Sequence, residues 1–223
     1  MNISSWTWTR DHKWRLLLVG IVALLLISPF PEIYDRLDNV ITPLTAVIFL
    51  AVILGTARQK VTIWLLSVLM LAWVVISIAT DGSGLFATVT LLAPLLFMVL
   101  VAAVFILLAS WMVRAAHINI EVLSAAICGY LLLGILWTGF YAAVENIRFF
   151  AHHRSAFFSS TAPRLTVEDL LYFSYATLTT TGYGDIIPRG GEVRMLAVLE
   201  AMVGVFYNTI VVARFVGLYG LRK

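Results

Sequence analysis

Across 223 residues the chain is 61% hydrophobic and only 12% charged, with a net charge of +3 and a mean hydropathy of +0.98. Soluble domains carry about 25% charged residues, so the composition excludes a soluble domain and points to an integral membrane protein. Its basic residues lie at the ends of apolar runs rather than in a stripe, which argues against nucleic acid as a partner.

Residues 1–15 are polar, with Arg10, Lys13 and Arg15 beside Trp6, Trp8 and Trp14, a pattern that reads as a cytoplasmic segment at a membrane interface. The first apolar run, 16–27, is short. A basic flank and that length also fit a signal peptide, but only Ser28-Pro29-Phe30-Pro31 comes after it, without a small-x-small cleavage site, so we read it as an uncleaved first span. An acidic loop precedes a second run at 40–57, and Arg58 and Lys60 make a basic turn before a third at 61–80. The fourth, 85–113, contains Pro94 and is long enough to tilt or kink; Arg114 and His117 close it. A fifth run covers 118–144, a polar outer segment 145–164, and a last run 192–219. Cys128, inside the fifth run, is the single cysteine, which leaves no intrachain disulfide or cysteine-based metal site. His152 and His153, on the polar segment, could bind a metal or simply be solvated.

Between the last two runs the pattern changes. Residues 165–179 read as a short amphipathic helix, 180–185 as a Gly-rich extended strand, and Pro188 with Gly190 and Gly191 breaks the chain after it. A span, a half-length helix, a strand and another span describe a re-entrant loop. Non-helical backbone at membrane depth is tolerated only where it lines a watery cavity or is buried in protein. Where four chains meet on an axis, successive carbonyls of such a strand can ring a dehydrated cation. Glycine at 182 and 184 permits the dihedrals this requires.

The stretch Thr177-Leu178-Thr179-Thr180-Thr181-Gly182-Tyr183-Gly184-Asp185 resembles the potassium-channel signature T-x-x-T-x-G-Y-G-D, matched at Thr177, Thr180, Gly182, Tyr183, Gly184 and Asp185. The resemblance implies a filter in which Thr180, Thr181, Gly182, Tyr183 and Gly184 bind K+, with the Thr180 hydroxyl as innermost ligand. It makes Thr177, Tyr172 and Asp185 its supports. Thr181 stands where the family usually has Val or Ile, and is nearly isosteric with Val. Tyr172 stands where a Trp often bonds the Asp, and Ala176 where many bacterial members have a Glu paired with it.

Six apolar runs with the pore last resemble the voltage-gated layout. Yet 85–113 holds no Arg or Lys, and 40–57 and 61–80 hold no acidic residue to pair with one. One charge crossing 100 mV is worth about 2.3 kcal/mol, so gating by a charged fourth helix is not expected; the first four runs read as a packing collar. The run from Glu200 to Asn208 resembles the inner helix of inward rectifiers, Q-S-x-x-G-x-x-x-N/D. There Gly204 falls at a hinge position, for bending or for close packing, and Asn208 faces the cavity or bonds a neighbouring helix. Glu200 either supports the filter by bonding Ser174 or Thr177 or draws cations inward; if buried, it is also a candidate proton sensor. Val212 and Phe215, with Val216, would form an apolar gate or face lipid.

The expected fold is therefore an all-α membrane protein: a cytoplasmic segment 1–15, a four-helix region 16–117 and a pore domain 118–223. The implied assembly is a homotetramer in lipid, in a bacterial plasma membrane with both termini cytoplasmic. It would pass K+ passively, without a cofactor, enzymatic activity or soluble ligand. A non-selective cation channel and a non-conducting scaffold or regulatory subunit are the alternatives.

Overall fold

The computed structural model describes residues 13–27, 46–47, 49–50, 53, 60–80, 88–152, 154–159 and 165–220. Most of the second apolar run, the acidic loop before it, the turns at 58 and 81–84, and His153 lie outside them. The described chain contains α1 (Lys13–Ile27), α2 (Lys60–Thr80), α3 (Thr88–Val113), α4 (Ile120–His152), β1 (Phe157–Ser159), α5 (Val167–Leu178), β2 (Ile186–Pro188) and α6 (Gly191–Gly220). Among the described residues three helical stretches are long and apolar enough to cross a membrane: Leu95–Val113, Ile120–Phe149 and Gly191–Leu218. Two shorter apolar helices, Trp14–Ile27 and Lys60–Ile76, accompany them. The chain divides into two compact units, Met1–Leu131 and Leu132–Lys223.

In the first unit α3 buries Leu100, Val104, Leu108 and Met112, a four-residue spacing that places them on one face of the helix. Phe97 meets Trp73 of α2 at 5.2 Å and Phe49 at 6.1 Å between ring centroids. The Arg114 Nε closes α3 by donating to the Ser110 carbonyl at 2.9 Å, a favourable place for a cation at a helix C-terminus. Asn119 caps α4, its Oδ1 accepting from the Val122 N–H at 2.9 Å. Glu121 in the first turn of α4 pairs with Arg15 at 2.6 Å and accepts the Trp14 N–H at 3.3 Å. Cys128, two turns further along, donates its thiol to the Trp14 carbonyl at 3.3 Å. The start of α1 is thereby fixed along the first turns of α4.

The second unit departs from the sequence expectation at 145–164. The polarity of Glu145, Asn146 and Arg148 argues for a loop after 144, yet α4 continues to His152. The reason is that Glu145 is buried rather than solvated: its Oε2 accepts the Ala156 N–H at 2.7 Å. Helix and adjoining turn are thus joined through one carboxylate. Part of the remaining segment is a strand. β1 pairs antiparallel with β2 (Phe157 with Pro188, Phe158 with Ile187, Ser159 with Ile186), so a two-stranded ribbon joins the two ends of the loop that contains α5. Three residues per strand give no alternation long enough to read as β.

Beneath the ribbon lies a core of Tyr141, Ala156, Phe157, Leu165, Leu170, Phe173, Ile186 and Val193. Tyr141, Phe157 and Phe173 meet edge to face at 5.1–5.7 Å, the arrangement favoured by ring quadrupoles. Arg148 fastens the far side, donating to the Arg189 carbonyl at 2.7 Å and pairing with Glu192 at 2.5 Å. Replacing Glu145 with Ala leaves the buried Ala156 N–H without an acceptor. The expected cost is about 1–3 kcal/mol. It should be seen as lower thermal stability of the detergent-solubilised protein and faster amide exchange across 156–159 and 186–188; an unchanged exchange pattern would contradict the anchoring role of Glu145.

Candidate functional site

The centre of the second unit is α5, and its sequence specifies both ends. Thr166 is the N-cap (φ −78°, ψ 172°) of a reciprocal capping box: the Asp169 N–H donates to Thr166 Oγ1 at 3.3 Å and the Thr166 N–H to Asp169 Oδ2 at 2.9 Å. Glu168 and Asp169 in the first turn also complement the positive end of the helix. Leu170, Phe173, Ser174 and Leu178 are buried, a spacing of three and four that turns one face inward.

The C-terminal end is closed by the backbone. The Thr180 N–H donates to the Thr177 carbonyl at 2.9 Å and the Thr181 N–H to the Ala176 carbonyl at 2.8 Å. These are the two bonds of a Schellman motif, whose closing residue is left-handed and usually glycine. Here that residue is Thr180, at φ 58°, a conformation that costs a non-glycine residue about 1–2 kcal/mol. Left-handed φ recurs at Gly182 (56°) and Gly184 (79°), while Thr181 and Tyr183 do not share it. Nothing lies within 4 Å of where a side chain would start at either glycine. Conformation, not space, is therefore what requires glycine there.

Residues 180–185, expected as an extended strand, lie outside β1 and β2 because left-handed backbone recurs along them, and their flanks are held by aromatic and hydroxyl groups. Tyr183 stacks on Tyr172 of α5, with centroids 6.0 Å apart and planes 9° apart. The Tyr172 phenol is pushed above its ordinary range by desolvation first, then by its hydrogen bond to Asp185 and the charge of that carboxylate. The structure thus brings Tyr172, Tyr183 and Asp185 together. Thr179 donates its hydroxyl to the Tyr175 carbonyl at 2.6 Å and lies 2.9 Å from the Thr181 hydroxyl.

Behind α5 sits Glu200, fully buried on α6. Its Oε2 accepts from the Tyr141 hydroxyl at 2.6 Å, and its Oε1 lies 2.5 Å from the Ser174 Oγ, which also reaches the Gly134 carbonyl at 2.8 Å. One carboxyl group thereby links α4, α5 and α6. Of the two partners the sequence suggested, the geometry selects Ser174. Thr177 contributes its carbonyl to the helix cap. Glycines bring the same three helices close. A Cβ at Gly134 would overlap the Tyr175 ring, and one at Gly204 would overlap the Leu178 carbonyl with the Leu178 side chain at 3.1 Å. Gly204 is thus a site of close approach between α6 and the end of α5.

Asn208 and Val212 succeed Gly204 at four-residue intervals on α6 and are exposed within the chain; Phe215 is half-buried. Sequence reasoning missed Tyr141, Gly134, Glu145 and Arg148. A signal existed for Tyr141, because a phenol within an apolar span must find a hydrogen-bond partner. The glycine contacts required knowing which helices pack together.

Glu200→Leu leaves the Tyr141 hydroxyl buried without its acceptor and leaves Ser174 only the Gly134 carbonyl, and should destabilise the protein by about 1–3 kcal/mol. Glu200→Gln keeps the shape and an acceptor and should cost less than half of that. Melting of the solubilised protein checks the order, and equal losses would exclude the carboxyl as the tie between the helices.

Comparison with known proteins bears on this unit. Residues 147–219, which run from the end of α4 through α5 and the strand into α6, match the family model Ion_trans_2, described as an ion channel. No curated protein matches the chain. The matched segment is thus similar to an ion-channel domain, and it includes one of the helices long and apolar enough to cross a membrane.

Proposed function

We propose that the chain is one subunit of a homotetrameric, potassium-selective channel whose filter is Thr180–Gly184. The observation that carries this reading is the alternation of left-handed φ at Thr180, Gly182 and Gly184, beginning at the capped end of α5. Alternating left-handed residues with residues of ordinary φ turns successive carbonyls toward one side of the strand, as a ring of oxygen ligands for a dehydrated cation requires. K+ is the transported ion, coordinated by carbonyls of Thr180, Thr181, Gly182 and Tyr183 with the Thr180 hydroxyl innermost. The negative end of α5 points the same way in chemistry, since it favours a cation.

One chain supplies one such strand, and residues 179–185 are exposed in it. Four copies around an axis would complete the coordination shell. The fully buried carboxyl of Glu200 supports a bracing role behind the filter rather than direct attraction of ions from a water-filled cavity. α3 contains no Arg or Lys, which favours a pore not opened by a charged fourth helix. In this reading six helices cross the plasma membrane with both termini in the cytoplasm, and transport is passive, with no catalytic residue or cofactor. Asn208, Val212 and Phe215 line the inner part of the conduction path.

The test is tracer flux into liposomes holding the purified protein, comparing Rb+ with Na+, with Ba2+ as blocker, together with the mass of the solubilised complex. Rb+ uptake that exceeds Na+ uptake by at least about tenfold, corresponding to 1.4 kcal/mol of discrimination, and that Ba2+ abolishes is expected from a four-chain complex. Equal uptake of both ions would replace the reading with a non-selective cation channel. No uptake of either would favour a scaffold.

A further inference from the structure

The contact between Thr179 and Thr181 leads beyond the filter assignment, although the role it suggests depends on that assignment. Each threonine hydroxyl has one proton. The Thr179 proton is committed to the Tyr175 carbonyl at 2.6 Å. In the 2.9 Å contact between the two hydroxyls the donor must then be Thr181. The result is a directed chain, Thr181 hydroxyl to Thr179 hydroxyl to Tyr175 carbonyl, running from the filter strand back into the last turn of α5. It spans Thr180, the residue held left-handed against its own preference.

We infer that Thr181 is a positioning residue for conduction: its hydroxyl, through Thr179, clasps the filter strand to the end of α5 and holds Thr180 in the left-handed geometry of the innermost ion site. An isosteric Val at 181 would fill the same volume and leave the clasp open. A cation in the filter offsets the mutual repulsion of the inward carbonyl dipoles. Without the ion, repulsion and the disfavoured φ of Thr180 both act to release the strand, so the clasp has its largest effect when the filter is empty.

The experiment uses the full-length protein in liposomes. Wild type and the variants Thr181→Val, Thr181→Ser, Thr179→Val and Thr179→Ser are held in K+ or in a K+-free medium, and then assayed for Rb+ and Na+ uptake. After the K+-free interval both Val variants should lose about fivefold in Rb+ uptake, the effect of one hydrogen bond. Both Ser variants, which keep the hydroxyl, should lose no larger a fraction of their own K+-held uptake over that interval than wild type loses. Val variants that match wild type, or Ser variants that lose as much as Val, overturn the proposal. If Thr181→Val is inactive even in K+, Thr181→Ser decides: an active Ser variant supports the hydroxyl requirement and an inactive one overturns it. A wild type that admits Na+ and Rb+ equally overturns the potassium-filter reading itself, and the clasp with it. A selective wild type with no difference between Val and Ser overturns the clasp alone.

Discussion

The last turn of a helix carries carbonyls that the helix itself cannot satisfy, and in α5 the way they are satisfied sets the path of the strand beyond it. Backbone N–H groups from 179 to 182 fold back onto the carbonyls of Tyr175, Ala176 and Thr177. That closure requires a left-handed residue, and the chain places a threonine there instead of the glycine that would adopt it freely. In the proposed filter, the local preference is overridden at the residue whose hydroxyl would be the innermost ligand. Backbone strain held by surrounding structure is a common mark of a functional site, and here its supports are identifiable as the Schellman bonds and the hydroxyls on either side.

Among the described residues, three buried carboxyl groups organise the rest of the chain, each by joining segments distant in sequence. Glu121 joins α1 to the start of α4, Glu145 joins α4 to the turn before β1, and Glu200 joins α4, α5 and α6. Burying a carboxyl group is costly unless it is hydrogen-bonded, so each has its geometry dictated by the donors it must find. In an apolar interior, where packing among similar side chains is forgiving, such directional contacts set the register of one helix against another.

The short helix α5, the break after it and the two long helices on either side were legible because they rest on local rules: apolar runs, an amphipathic period, and the Thr-Gly-Tyr-Gly run with its breakers. What stayed illegible depends on tertiary partners. Polar Glu145 and Arg148 read as loop because nothing in the sequence says that residues flanking the ribbon will donate to one and accept a hydrogen bond from the other. The ribbon itself is too short to show a period of two. Spacing alone leaves Gly204 open between a hinge and a contact, because the Leu178 carbonyl against it is a tertiary neighbour, and Thr181 reads as a near-isostere of Val because its hydroxyl partner is set by the turn at Thr180.

The two glycines that admit α5 between its neighbours differ in how they can change over evolutionary time. At Gly134 the obstacle to a side chain is the ring of Tyr175, so a larger residue at 134 can be matched by a smaller one at 175, and the two positions should drift as a pair. At Gly204 the first obstacle is the carbonyl of Leu178, part of the main chain that every residue type shares. No exchange at 178 can remove it. Among descendants of this sequence that keep the same packing, position 134 is free to vary with its partner, whereas position 204 is held to glycine.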